Sequence, residues 1–152
     1  MRRAEREITD PAEIDLILQE ARVCRLGLAC GRQPYVVPVS FAVCGGHLYF
    51  HSAAAGKKID ILKINPSVCF ETDIEGGIIC GTSPCACSVV YKSVIGRGEA
   101  FFVHDNSEKA AILDLLMKKY APEAGGGYSP RELDKVVVVG IRIEEITGKK
   151  YS

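Results

Sequence analysis

YVVPVSFAVCGGHLYFHS, residues 35–52, decides the fold. Two runs of β-branched and aromatic residues flank a glycine pair, which is the pattern of a hairpin. YVVPVSFAV (35–43) is expected as one strand, CGGH (44–47) as the turn and LYFHS (48–52) as the next strand. Pro38 stands in the middle of the first run. A proline has no N–H to give to a ladder, so this strand is expected at a sheet edge, or open locally where something else docks.

Reading outward, VCRLGLAC (23–30) alternates as a strand and reaches the hairpin through GRQP. Before it a helix is expected from Asp10, with Pro11 at its first position and Glu13 completing D-x-x-E. Ile14, Ile17, Leu18 and Ala21 form its apolar face. After the hairpin, KKIDIL opens a helix that stops at Asn65–Pro66. SVCFETD (67–73), SVVYKSVIGRGEAFFVH (88–104) and KVVVVGIRIEEITGKK (135–150) are the remaining strands, the long middle one bent at its glycines. Residues 74–87 read as irregular. Asp105 and Glu108 open an amphipathic helix, and SPREL starts one short helical turn. Neighbouring strands within hairpin or short-crossover distance predict a mainly antiparallel sheet. A six-stranded barrel with flanking helices would leave no exposed edge. EAFFVH and KVVVVGIRI carry large apolar side chains on both faces, which predicts a self-complementary contact between two copies.

At 152 residues the chain is one domain, 1–152. Its 19 basic and 19 acidic residues cancel, so no global field recruits nucleic acid or an anionic membrane. No apolar run approaches the roughly 20 residues of a spanning helix. MRRAEREITD lacks a signal-peptide core, and the expected location is cytoplasmic. Seven cysteines without an export signal imply reduced thiols. Cys24, Cys30, Cys44 and Cys69 read as small hydrophobes in strands. CGTSPCAC (Cys80, Cys85, Cys87) has no fourth ligand at zinc spacing, so a cysteine-rich loop is expected rather than a metal site.

Lys57 and Lys58 pose the functional question. They fall in the first turn of a helix, where cations are disfavoured by about 0.3–1 kcal/mol each. An anion bound there reverses the penalty, because free helix N–H groups and ammonium groups converge on it. Ser52 would donate a hydroxyl and Gly56 would let the backbone approach. A solvated surface pair is the other reading, and the dipeptide alone leaves both open. Gly96 and Gly98 lie two apart on one strand and so share a face. They predict either a flat trough suited to a planar ring or a simple barrel bend.

PYVVPVSF, LYFHSAAAGKKIDILKINPSVCFETD and YKSVIGRGEAFFV together resemble the FMN-binding split-barrel proteins related to pyridoxamine 5′-phosphate oxidase, in the nitroimidazole-resistance (Nim) branch. The resemblance implies a mainly β, six-stranded antiparallel split barrel that forms a homodimer with FMN at the interface. It places Val37, Pro38, Val39 and Ser40 against the flavin ring, His51 and Ser52 beside ring and phosphate, and Lys57 and Lys58 on the phosphate. It assigns Tyr91, Ser93, Val94 and Gly96 to the strand that completes the site, on the same or the partner subunit. His51 would orient or protonate a substrate; the residues alone point rather to a strand-end histidine bonded to backbone. Relatives commonly read C-D-W-S-M-R-Y-R-S before that strand, whereas this chain reads CACSVVYKS, so Cys87 and Val90 replace a tryptophan and an arginine. The implied activity is reduction of small electrophiles such as nitro compounds, with a nicotinamide cofactor as donor. A pyridoxamine 5′-phosphate oxidase-like enzyme and a non-catalytic flavin carrier or redox sensor are the alternatives.

Overall fold

The computed structural model describes residues 3–152, apart from the side chain of Pro84. Met1 and Arg2, the start of the expected domain, lie outside the described residues. The elements run β1 (Glu7–Ile8), α1 (Pro11–Glu20), β2 (Cys24–Cys30), β3 (Gln33–Val39), β4 (Ala42–Cys44), β5 (His47–Ala53), α2 (Lys57–Ile64), β6 (Ser67–Ile79), β7 (Ser88–Val103), α3 (Asn106–Tyr120), α4 (Pro130–Lys135) and β8 (Val136–Tyr151).

Every strand pair is antiparallel, and the sheet runs β3-β2-β6-β7-β8-β5-β4, with β1 added to β8. Its two edges, β3 and β4, are consecutive in the chain and meet at Ser40–Phe41. The sheet therefore curls until its edges face each other, and it stays open along that seam. This corrects two expectations. The strand count is eight rather than six, because 35–43 divides at the seam and Glu7–Ile8 adds a short strand. Closure also does not remove the edges. Pro38 sits on the edge strand β3, paired only to Arg25 of β2, as a residue without an N–H must.

The Tyr120 hydroxyl bridges the break at Phe41. It accepts from the Phe41 N–H (2.9 Å) and lies within hydrogen-bond distance of the Phe41 and Arg22 carbonyls (3.1 and 2.9 Å). Inside the barrel Phe41, Phe50 and Phe70 are fully buried with Leu26, Leu48 and Val94, and Ile59 and Leu62 of α2 close one end. Each such side chain contributes about 1.5–3 kcal/mol by leaving water. On the outer face Val103 and Val138 pack against Ile112, Leu113 and Leu116 of α3 and Leu133 of α4. The two-faced apolarity of β7 and β8 is thus partly covered within one chain, so it does not by itself require a second copy.

Residues 74–79, expected to be irregular, extend β6 into a hairpin arm with β7, paired out to Ile79–Ser88. A register shift between Glu75 and Gly77 hides the alternation in the sequence. The cysteine reading also changes. Among the described residues only Cys24 is a buried cysteine; Cys44 and Cys69 face away from the barrel core, and Cys30 is exposed at the end of β2. No helix among the described residues is long and apolar enough to cross a membrane.

Candidate functional site

Among the described residues, three of the four α-helices have their first turns capped by a side chain: Asp10 on α1, Asp105 on α3 and Ser129 on α4. In α2 the cap position is Gly56 at φ 141°, which supplies no side chain and strains any other residue. The N–H groups at the start of α2 therefore have no side-chain acceptor, and Lys57 and Lys58 stand among them.

Ser52 lies five residues before Lys57, on the inward face of β5 with Leu48 and Phe50. It is only 6% exposed, and its hydroxyl has no partner among the described residues. An unpaired buried hydroxyl costs about 1–3 kcal/mol. Such a group is usually kept for a ligand or water. The strand end, the glycine cap and the two lysines together offer donors and positive charge to one anion of phosphate type. These residues fit the phosphate end of a flavin mononucleotide.

The Lys57 ammonium lies 4.8 Å from the centroid of the Tyr35 ring, which ties the start of α2 to β3. Along β3, Val37 and Val39 turn inward against the core, while Val36, Pro38 and Ser40 face out. The two valines are partly buried against the core, whereas Pro38 and Ser40 present exposed side chains. The free edge of β3 leaves backbone groups for the polar rim of a planar ring. His51 is exposed and points to the face opposite Ser52, as adjacent strand residues must. It has no hydrogen-bond partner among the described residues, so the backbone-bonded reading does not apply.

The β7 assignments divide. Val94 is fully buried in the core and paired on both sides, to Thr72 and Gly148. Gly96 is likewise paired on both sides, and a Cβ there would collide with the ring of Phe70. At Gly98 a Cβ would meet the Arg142 carbonyl, beside a bulge at Arg97/Gly98. Of the two readings for the glycine pair, the bulge fits the bend, and the space over Gly96 is filled by Phe70; Val94 lies in the core and Gly96 at a close approach of two strands.

Tyr91 and Ser93 are half-buried at the far end of β7. Their partners on β8 are Tyr151 and Lys149, whereas Ser52 pairs with Val137 near the other end of β8. Those β8 positions lie roughly 40–45 Å apart along the strand, at about 3.3 Å per residue. One chain does not bring the two groups together. Around Tyr91 the structure reveals a cluster that the sequence reading missed. Burial pushes the Tyr91 phenol up, but hydrogen bonds from Arg6 and Lys149 outweigh it and hold the phenol below its ordinary range. Arg6 also stacks 4.1 Å from the Tyr151 ring centroid. Arg6 is remote in sequence, and only the pairing of β1 with β8 reveals its place.

Of the remaining histidines, His47 packs between Tyr49 and Phe101, and His104 is exposed. A cavity of about 730 Å³ lies between α1, the β4–β5 turn and β8, and contains none of the expected site residues. Among the described residues no group of three or more His, Cys, Asp or Glu could hold a metal ion.

Residues 10–150 match the family described as pyridoxamine 5′-phosphate oxidase. The chain belongs to this family. Among solved structures it is similar to a candidate 5-nitroimidazole antibiotic resistance protein from Bacteroides thetaiotaomicron, at 31% identity and TM-score 0.84, covering 95% of this chain and 86% of that one. A FAD-binding protein from Mesorhizobium loti shares 28% identity at TM-score 0.72, over 97% of this chain and 98% of its own. A flavocytochrome from Azotobacter vinelandii shares the fold at TM-score 0.88 and 21% identity, over 100% of this chain and 72% of its own. No curated protein matches the chain. Membership of the pyridoxamine 5′-phosphate oxidase family bears out the resemblance read from PYVVPVSF and its neighbours.

Proposed function

We propose that this chain is an FMN-binding oxidoreductase that takes electrons from a nicotinamide cofactor and reduces small electrophiles such as nitro compounds. The observation that carries the reading is the buried, unpartnered hydroxyl of Ser52, five residues before the uncapped, lysine-bearing start of α2. FMN, when bound, supplies hydride transfer, and the protein supplies position and electrostatics. Ser52, the first N–H groups of α2 and the Lys57 and Lys58 ammonium groups would hold the phosphate. The open edge of β3 would offer backbone hydrogen bonds to the flavin, and the exposed Pro38 and Ser40 would line that side of the site. His51, exposed near the end of β5, would orient the acceptor or pass it a proton. Family membership and the FAD-binding protein at 28% identity support a flavin.

The working unit is a homodimer in the cytoplasm. Because Tyr91 and Ser93 stand at the opposite end of β8 from Ser52, they serve the site built by the other copy. Outward apolar residues Val36 and Ile95, 65% and 51% exposed, are available to such an interface.

One observation favours a second reading. Arg6, Lys149 and Tyr91 form a second group of donors, suited to a phosphate on the substrate, as in a pyridoxamine 5′-phosphate oxidase-like enzyme. Anaerobic mixing of the FMN-loaded protein with reduced nicotinamide cofactor, followed by an acceptor, separates the readings. Bleaching of the flavin and reoxidation by a nitro compound supports the first. Turnover of pyridoxamine 5′-phosphate with oxygen supports the second. Bleaching without turnover of any acceptor identifies a carrier.

A further inference from the structure

The tip of the β6–β7 arm carries three exposed thiols, Cys80, Cys85 and Cys87, within eight residues. The last ladder pair of the arm is Ile79 with Ser88, so the next cross-strand positions are Cys80 and Cys87. Beyond them the loop pinches: a Cβ on Gly81 would collide with that of Ala86, and the Ala86 N–H donates to the Ser83 carbonyl at 2.9 Å. The two backbones therefore converge on both sides of the cysteine pair. Residues directly opposite in an antiparallel pair have Cβ atoms about 4.5–5.5 Å apart. A disulfide needs about 3.8 Å. The remaining approach is small for a loop tip. The Cys87 thiol donates to the Ser83 carbonyl at 3.8 Å, which keeps its sulfur over the loop. Cys85 stands within the 3-10 turn Pro84–Ala86 and has no opposite position on the ladder.

We propose that Cys80 and Cys87 are a reversible modification site, oxidised by low-molecular-weight disulfides to a cross-strand disulfide that closes the arm. The Cys87 thiolate attacks one sulfur of the disulfide RSSR, forming a mixed disulfide and releasing RS⁻. The Cys80 thiolate then attacks the Cys87 sulfur, forming the protein disulfide and releasing a second RS⁻. The two thiol protons end on two RSH, and two electrons pass from the cysteine pair to RSSR. A hydrogen bond to Cys87 holds the Cys80 thiol above its ordinary range, which makes Cys80 the less ready first attacker and leaves that step to Cys87. This site does not depend on flavin.

The test incubates the reduced full chain with glutathione disulfide, then alkylates free thiols, reduces, and alkylates again with a distinguishable reagent. Tandem mass spectrometry then places each label. The expected result is that Cys80 and Cys87 acquire the second label together and Cys85 keeps the first. Titratable thiols in denaturant fall from seven to five. Cys85→Ser leaves this unchanged, while Cys80→Ser halts at a glutathione adduct on Cys87. The proposal is overturned by linkage through Cys85, by glutathione adducts without an internal disulfide, or by no loss of thiols. Because all three cysteines are exposed, the variants should melt with the parent, and coincident melting curves confirm that each is folded.

Discussion

The ring of Phe70 occupies the space that a side chain on Gly96 would need, with β6 and β7 paired at those two residues. Phe70 is 1% exposed and lies at the centre of the barrel core, so it has nowhere to go. Gly96→Val should therefore destabilise the protein by about 1–3 kcal/mol through overpacking. Adding Phe70→Leu should recover part of the loss, because the two positions share one space. Denaturant unfolding of the single and double variants measures both. Additive losses would show that the ring and the glycine do not compete.

Ser52→Ala should move stability and binding in opposite directions. Removing a buried hydroxyl that has no partner relieves its desolvation cost and raises apo-protein stability by about 1 kcal/mol. Losing a hydrogen bond to a charged phosphate lowers FMN affinity by about tenfold. Unfolding of the apo-protein and titration with FMN check the two halves separately. A destabilised variant would mean that the hydroxyl bonds within the protein.

Lys119 and Cys24 give stability a defined pH dependence. The Lys119 ammonium lies 3.6 Å from the centroid of the Phe41 ring and donates to the Leu18 carbonyl at 2.8 Å. Burial, helped by Arg22, lowers its pKa from 10.5 to about 8. Between those values the unfolded state binds more protons, so this group makes stability rise with pH. Burial pushes the Cys24 thiol from 9.0 up to about 12, so above about pH 9 the unfolded state loses a proton that the folded state keeps, and stability falls. Lys119→Met should remove the rise and leave the fall. Unfolding free energies of parent and variant across this range test it, and identical slopes would refute the assignment to Lys119.

Much of the architecture was legible because it depends on local rules. Alternation located the strands, Pro38 located an edge, and Ser129-Pro-x-Glu132 predicted a capping box that the structure contains in full. The seam at Ser40–Phe41 was not legible, because 35–43 is equally apolar on both sides of it. Gly96 stayed open between trough and bend because a missing side chain looks the same whether a ligand or Phe70 fills the gap. The opposite facing of His51 and Ser52 was implied by their adjacency. The orphan hydroxyl and the approach of Arg6 to Tyr91 depend on contacts distant in sequence, and no local pattern encodes them.

The shared site predicts complementation. A chain carrying Lys57→Ala and Lys58→Ala and a chain carrying Tyr91→Ala and Ser93→Ala should each bind FMN weakly. Mixed dimers should recover one intact site, because the defects then segregate to opposite sites. Flavin bound per dimer after unfolding and refolding the mixture reads this out. A monomer mass by light scattering with FMN bound would contradict the dimer.

The central claim is that Ser52 and the start of α2 hold a phosphate, and titration of the apo-protein with FMN and with riboflavin tests it most directly. The two ligands differ only in that phosphate. The parent should bind FMN at least about tenfold more tightly, since charge-assisted hydrogen bonds contribute about 1.5–3 kcal/mol each and 1.4 kcal/mol is one decade. Replacing Lys57 and Lys58 by alanine should lower FMN affinity by at least about tenfold and leave riboflavin unchanged. Equal affinity of the parent for both ligands would contradict the account.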